Sequence, residues 1–209
     1  MEFSDSPVIN EKTVKTLLKL FDPKTKEIQK GESILNEAAK ENRLCLLLKG
    51  TAYLCLENEY GGRQLLDFFT ERQILCQRIF PSSANGHCYV YAKYPCTVAF
   101  LDHRQLMAHM EQNPSSGLVT LFFDLTHCII SARNEHCHML QQKTIRDKLL
   151  AFLHYQSVRQ QKELIHIPIP YSDLADYLAI DRSSLMTELS QMHQEGLIEK
   201  NSRDIRLLK

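Results

Sequence analysis

From Tyr171 to Lys209 the apolar positions run first at helical and then at strand spacing. Leu174, Ala175 and Leu178 line one face of a short helix. Ala179-Ile180-Asp181 makes a turn, with Asp181 as N-cap of a second helix whose stripe is Leu185, Leu189 and Met192. Gly196 stops that helix, since glycine takes the left-handed conformation a C-terminus needs. Leu197-Ile198 opens a strand, Asn201-Ser202-Arg203-Asp204 turns, and Ile205 to Leu208 returns. The pattern predicts a winged helix-turn-helix, an architecture that lays its second helix in the major groove of DNA.

Upstream, the pattern predicts two other kinds of structure. From Ile28 to Leu101 short apolar runs alternate with turn signals: Ser33 to Leu35, Arg43 to Leu48, Thr51 to Leu56, Gln64 to Phe69, Tyr89 to Ala92 and Cys96 to Leu101. Lys49-Gly50 and Tyr60-Gly61-Gly62 turn between them, so an antiparallel sandwich or roll is expected. Leu118, Phe122, Leu125, Ile129, Ala132, His136 and Met139 then recur at spacings of 4, 3, 4, 3, 4, 3. That heptad seam predicts a long dimerisation helix, because apolar surface along a lone helix would stand in water. A further helix follows, with Ile145, Leu149, Leu150 and Leu153 on one face. Ile165 to Ile169, with its prolines, is an extended edge leading to the winged unit.

Charge changes this picture little. The 25 basic and 25 acidic residues cancel, which argues against a polybasic mode of binding, while Lys200, Arg203, Arg206 and Lys209 give the wing a local basic face. With 44% apolar residues the chain can bury a core. No apolar stretch reaches bilayer length and no signal pattern opens the chain, so a cytoplasmic protein with reduced thiols is expected from its seven cysteines. No C-x-x-C pair, Gly-rich phosphate loop, nucleophile elbow or HExxH run is present, and an enzyme is not expected.

Three stretches together carry a family resemblance: LCLLLKGTAYLCL followed by RQLLDFF; AKYPCTVAFLDHRQLMAHMEQNP; and KTIRDKLLAFL followed by IPIPYSDLADYLAIDRSSLMTELSQMHQEGLI. In this order they resemble the Crp/Fnr family of bacterial transcription regulators over nearly the whole chain. The resemblance implies an α+β fold with an N-terminal antiparallel β-roll (a double-stranded β-helix, cupin-like) at 1–112. A dimerisation helix at 113–140 and a winged helix-turn-helix at 141–209 follow. It implies a homodimer on a pseudo-palindromic double-stranded DNA site, switched by an effector in the roll, with RNA polymerase as a further partner and no membrane.

The departures from the family pattern bear on the effector. Cyclic-nucleotide binders carry a Gly-Glu pair and, about ten residues on, Arg-Ser or Arg-Thr; here Leu75-Cys76 and Gly86-His87 stand in those positions. A buried cyclic phosphate would lack its bidentate Arg, so cyclic AMP and cyclic GMP are not expected. No cysteine precedes Cys45, which speaks against the N-terminal iron–sulfur cluster of the oxygen-sensing branch. The effector pocket implied by the resemblance comprises Leu75, Cys76, Arg78, Gly86, His87, Cys88 and Tyr89, with Ser131 from the long helix. Haem, another metal, a redox thiol and a small organic effector all stay open there. For DNA, the resemblance points to Arg182, Ser183, Ser184 and Thr187 at the start of the recognition helix, Ser172 on the preceding helix, and Lys200 and Arg203 on the wing. Arg182 is the candidate for a guanine contact. The alternative is a dimeric haem, redox or small-molecule sensor that acts on protein partners without touching DNA.

Overall fold

The structure, a computed structural model, describes residues 9–36, 44–76, 86–113 and 117–208. Arg43, Arg78 and Lys209, and the side chains of Cys76, Leu125 and Cys128, lie outside what it describes. Two compact units divide the chain, one spanning Val8–Leu125 and the other including Thr126–Lys209.

The first unit opens with α1 (Glu11–Phe21), capped by Asn10, whose side chain accepts from the Thr13 N–H at 2.8 Å. Eight strands follow: β1 (Lys24–Ile28), β2 (Ser33–Asn36), β3 (Leu44–Lys49), β4 (Ala52–Asn58), β5 (Arg63–Phe69), β6 (Gln73–Cys76), β7 (Gly86–Ala92) and β8 (Cys96–Leu101). They form two antiparallel four-stranded sheets, ordered β1-β8-β3-β6 and β2-β7-β4-β5. Ile28, Leu35, Cys45, Leu47, Leu54, Leu75, Val90 and Val98 fill the core that the strands share. Gly50, at φ 98°, turns β3 into β4 so tightly that a Cβ there would meet the Pro95 carbonyl oxygen at 2.4 Å.

The run Leu44 to Leu47 is apolar at every position because β3 is covered on both faces. Cys45 and Leu47 point into the core, whereas Leu44 and Leu46 meet Val14 and Leu17 of α1, Leu106 of α2 (His103–Gln112) and Leu118 of α3 (Leu118–Gln141). Asp102 caps α2 by accepting from the Arg104 N–H.

In the second unit α3 runs on to Gln141 and is followed by α4 (Ile145–Gln160), β9 (Leu164–His166), α5 (Tyr171–Tyr177), α6 (Arg182–Gln194), β10 (Ile198–Asn201) and β11 (Asp204–Leu207). Thr144 and Asp147 form a reciprocal cap at the start of α4. The extended edge expected at Ile165 to Ile169 pairs with the wing: β9 lies antiparallel to β11, giving a sheet ordered β10-β11-β9. Its alternation is strict, with Ile165, Ile167 and Ile169 wholly buried and His166 exposed. The Ile167 N–H extends the pairing by donating to the Arg203 carbonyl at 2.9 Å. Leu149, Phe152, Leu153, Leu174, Leu178, Leu185, Leu189, Met192, Ile198 and Ile205 complete this core. Among the described residues, no helix is long and apolar enough to cross a membrane.

Candidate nucleic-acid interface

Helix α5 packs on α6 through Leu174 and Ala175, both buried. Between them the chain reverses at Ala179, which takes φ 51°, and the Ile180 N–H returns to the Ala175 carbonyl at 3.0 Å. Asp181 is the N-cap expected from the sequence. Its carboxylate accepts from the Ser184 N–H at 3.1 Å and from the Ser183 and Ser184 hydroxyls. These bonds, the Ser183 hydroxyl first, hold its carboxyl below the usual range. The cap thereby fixes the first turn of α6, where Arg182 and Ser183 are exposed.

One turn on, Thr187 is exposed and Met186 half-buried, and Ser190, Gln191 and Gln194 continue the outward face. The three buried residues Leu185, Leu189 and Met192 turn the opposite face to the core, which is why the outward face is polar. Gly196, at φ 69°, carries the chain into β10.

The wing turns at Ser202, φ 54°, where the Tyr171 hydroxyl donates to the Ser202 carbonyl. The Lys200 ammonium lies 5.4 Å from the centre of the Tyr171 ring, so α5 and the wing are tied through one aromatic side chain. Arg203 is half-exposed, and Arg206 faces Glu199 at 3.5 Å. Ser172, on the first turn of α5, donates to the Asp173 carboxylate at 3.1 Å.

Side chains for which the sequence signalled no such role hold this unit together: His136, expected on the dimer seam, with Lys148 and Arg146. Helix α5 has only seven residues, and its terminal carbonyls are met from outside. His136 of α3 donates through Nε2 to the Tyr177 carbonyl at 2.8 Å and stacks flat on the Tyr177 ring, centroids 3.8 Å apart. The Lys148 ammonium donates to the Leu178 carbonyl at 3.0 Å. Arg146 of α4 grips Glu195 with both terminal nitrogens, at 2.7 and 2.9 Å, and donates through Nε to Glu188 at 2.6 Å. These partners lie 42 and 49 residues away in the chain, a separation that no local pattern encodes.

The sequence profile of the Crp-like helix-turn-helix domain matches residues 147–209, and that of the cyclic nucleotide-binding domain matches residues 25–113. Together they account for most of the chain, in the order that the roll and the winged unit occupy. The chain belongs to the Crp/Fnr family. Solved structures share the fold. A cyclic nucleotide-binding domain containing protein from Listeria monocytogenes EGD-e superposes with a TM-score of 0.75 at 17% identity, over 94% of this chain and 97% of that one. CprK complexed with OCPA gives 0.74 at 13% identity, over 100% and 98%. FixK2 from Bradyrhizobium japonicum gives 0.69 at 18% identity, over 90% and 93%. No curated protein sequence matches the chain.

Within this Crp/Fnr fold, the described residues among those expected around the effector have different surroundings. Leu75 is wholly buried in the core of the roll. Along β7 the side chains alternate: Cys88 is buried with Val90, whereas His87 is exposed on the other face. His87 and Cys88 therefore point to opposite faces of that sheet. Tyr89 lies on the His87 face, 6.0 Å from Tyr91, over whose ring the Arg63 guanidinium sits at 4.0 Å. Gly86 packs so closely on β4 that a Cβ would meet the Glu57 carbonyl oxygen at 2.6 Å. Ser131 is half-buried on α3. Among the described residues no group of three His, Cys, Asp or Glu side chains could hold a metal ion.

The heptad positions of α3 have mixed environments. Leu118 joins the core of the first unit, Met139 is wholly buried in the second, and His136 is taken up by Tyr177. Ile129 and Ala132 are half-buried. Among the described side chains of α3, the large apolar residues left exposed are Phe122 of the predicted seam and Phe123, Ile130 and Leu140, each one residue beyond a seam position.

Proposed function

We propose that the protein is a homodimeric transcription regulator that binds a two-fold symmetric DNA site in a sequence-specific manner and answers to an effector other than cyclic AMP. The observation that carries the DNA reading is the first turn of α6. Arg182 stands exposed on a helix end pinned by Asp181, in a unit whose wing bears Lys200 and Arg203. Arg182 offers a planar pair of donors to guanine O6 and N7, and Lys200 and Arg203 add salt-dependent contacts to phosphates.

The dimer reading is supported by the outward apolar face of α3, where Phe123 is 71% and Ile130 55% exposed. Side chains of that size on a long helix favour a partner helix over water. The effector reading rests on Leu75, Cys76, Gly86 and His87 standing where nucleotide binders of the family carry their Gly, Glu and Arg-hydroxyl groups. A cyclic phosphate would meet no guanidinium from these positions.

Selection of genomic fragments by the purified protein tests the DNA reading. Enrichment of a palindrome is expected. Arg182→Ala should cost about 1–3 kcal/mol of discrimination per half-site while the dimer persists. Absence of any enriched sequence, with the dimer intact, would favour a sensor acting on protein partners. Calorimetric titration with cyclic AMP should give no heat of binding.

A further inference from the structure

On the recognition helix, several of the side-chain donors beyond the first turn are already committed. The Thr187 hydroxyl donates to the Ser183 carbonyl at 3.0 Å, and the Ser190 hydroxyl donates to the Met186 carbonyl at 2.9 Å. A Gln191 amide N–H donates to Glu195 at 2.9 Å, and Glu195 is itself anchored by the two-pronged grip of Arg146. At the head of the helix the Ser183 hydroxyl is spent on Asp181. What Thr187 keeps for a ligand is its Cγ2 methyl and an oxygen lone pair. Met186 adds a half-buried thioether beside it.

Such a surface is unlike the one guanine requires. In the major groove guanine presents two acceptors, N7 and O6, and must be met by donors. An A·T pair also presents two acceptors, adenine N7 and thymine O4, together with the adenine N6–H donor, and it alone adds the thymine 5-methyl group. The Thr187 methyl and the Met186 thioether match that methyl group. Over a G·C pair they would meet no methyl group, and the apolar contact would be lost.

We infer that the second turn of α6, through Thr187 and Met186, reads A·T base pairs by contact with the thymine methyl group. This inference rests on the DNA-binding reading above and names the base class that the same helix selects. Thr187 and Met186 act here as specificity-determining residues.

The test uses the full-length protein and the site recovered by fragment selection. Each thymine of one half-site is replaced in turn by deoxyuridine, which removes the methyl group and leaves the base-pairing edge unchanged. At one or two positions affinity should fall about 3–10-fold, the loss expected for one buried methyl contact. Thr187→Ser keeps the hydroxyl and its bond to the backbone but lacks the methyl. In that variant deoxyuridine at the Thr187 position should cost no further affinity, so the two changes are coupled in a double-mutant cycle. Met186→Ala should behave likewise at the neighbouring position. If the wild-type protein binds its site but ignores every thymine methyl, or deoxyuridine weakens the variants as much as the wild type, the methyl reading fails and DNA binding stands. If the wild-type protein selects no DNA at all, both readings fall.

Discussion

Gln156 is the buried polar side chain least reconciled with its surroundings. It lies on α4 with 1% of its surface exposed, and its Nε2 group has no acceptor. Its Oε1 takes one long bond, 3.3 Å, from Gln160. The stronger bonds of Gln160 go to the His166 backbone, at 2.7 and 2.9 Å, and serve β9 whether or not Gln156 is present. Replacing Gln156 with Leu keeps nearly the same volume and removes a stranded donor. A buried unsatisfied donor costs about 1–3 kcal/mol, and the long bond forfeited is worth about 0.5–1 kcal/mol. The winged unit should therefore gain about 1–2 kcal/mol. In a unit of its size each 1 kcal/mol raises the melting midpoint by about 4–8 °C. Urea titration followed by far-UV circular dichroism should show a higher midpoint at an unchanged slope. Gln156→Glu should fall in the opposite direction, because a carboxylate there has no partner. A lower midpoint for the Leu variant would refute the reasoning and indicate that the amide is satisfied in solution.

Three further outcomes follow from the geometry. The Asp181 carboxyl is held below its usual range in the folded state, so its contribution is complete above about pH 4 and is lost as the pH falls through the folded value; Asp181→Asn keeps an acceptor for the Ser184 N–H, and the stability gap between wild type and variant should narrow with acid in urea midpoints taken from pH 6 to pH 3. Of the five described free thiols only Cys137 is exposed, and burial pushes the Cys45 thiol up; brief iodoacetamide treatment with peptide mass spectrometry should label Cys137 and leave Cys45, Cys55, Cys88 and Cys96 intact until the protein unfolds. Ala179→Gly should stabilise the winged unit by up to about 1 kcal/mol, since φ 51° strains an L side chain in the turn, and an unchanged or lower midpoint would contradict that.

Much of the winged unit was legible because its signals are local. Asp181 caps, Gly196 ends a helix, and the alternation of Ile165, Ile167 and Ile169 marks an edge that becomes β9. In the roll, β3 to β5, β7 and β8 lie close to their expected positions. The four-residue strand β6 and helices α1 and α2 gave weaker signals. In α1 the apolar positions Val14, Leu17, Leu18 and Phe21 match one helical face, but lysines and threonines between them dilute the stripe. The heptad of α3 illustrates a different limit. Spacing gives the period of an apolar stripe and not what covers it, and Leu118, His136 and Met139 are covered from within the chain. At the effector positions the resemblance implies a shared pocket, and the faces to which the pleat of β7 sends His87 and Cys88 follow from strand geometry, which the resemblance does not carry.

The short helix α5 depends on donors lent by His136 and Lys148, neither of which lies on α5 or α6. This arrangement has a consequence for genetics. A screen for loss of regulation would recover substitutions at these two positions alongside those at Arg182, and a map drawn from phenotype alone would count them as operator contacts. Second-site suppressors should separate the classes: revertants of His136 and Lys148 variants should cluster where α5 ends, near Tyr177 to Ala179, and be indifferent to the operator, whereas revertants of Arg182 variants should change with the base sequence they face.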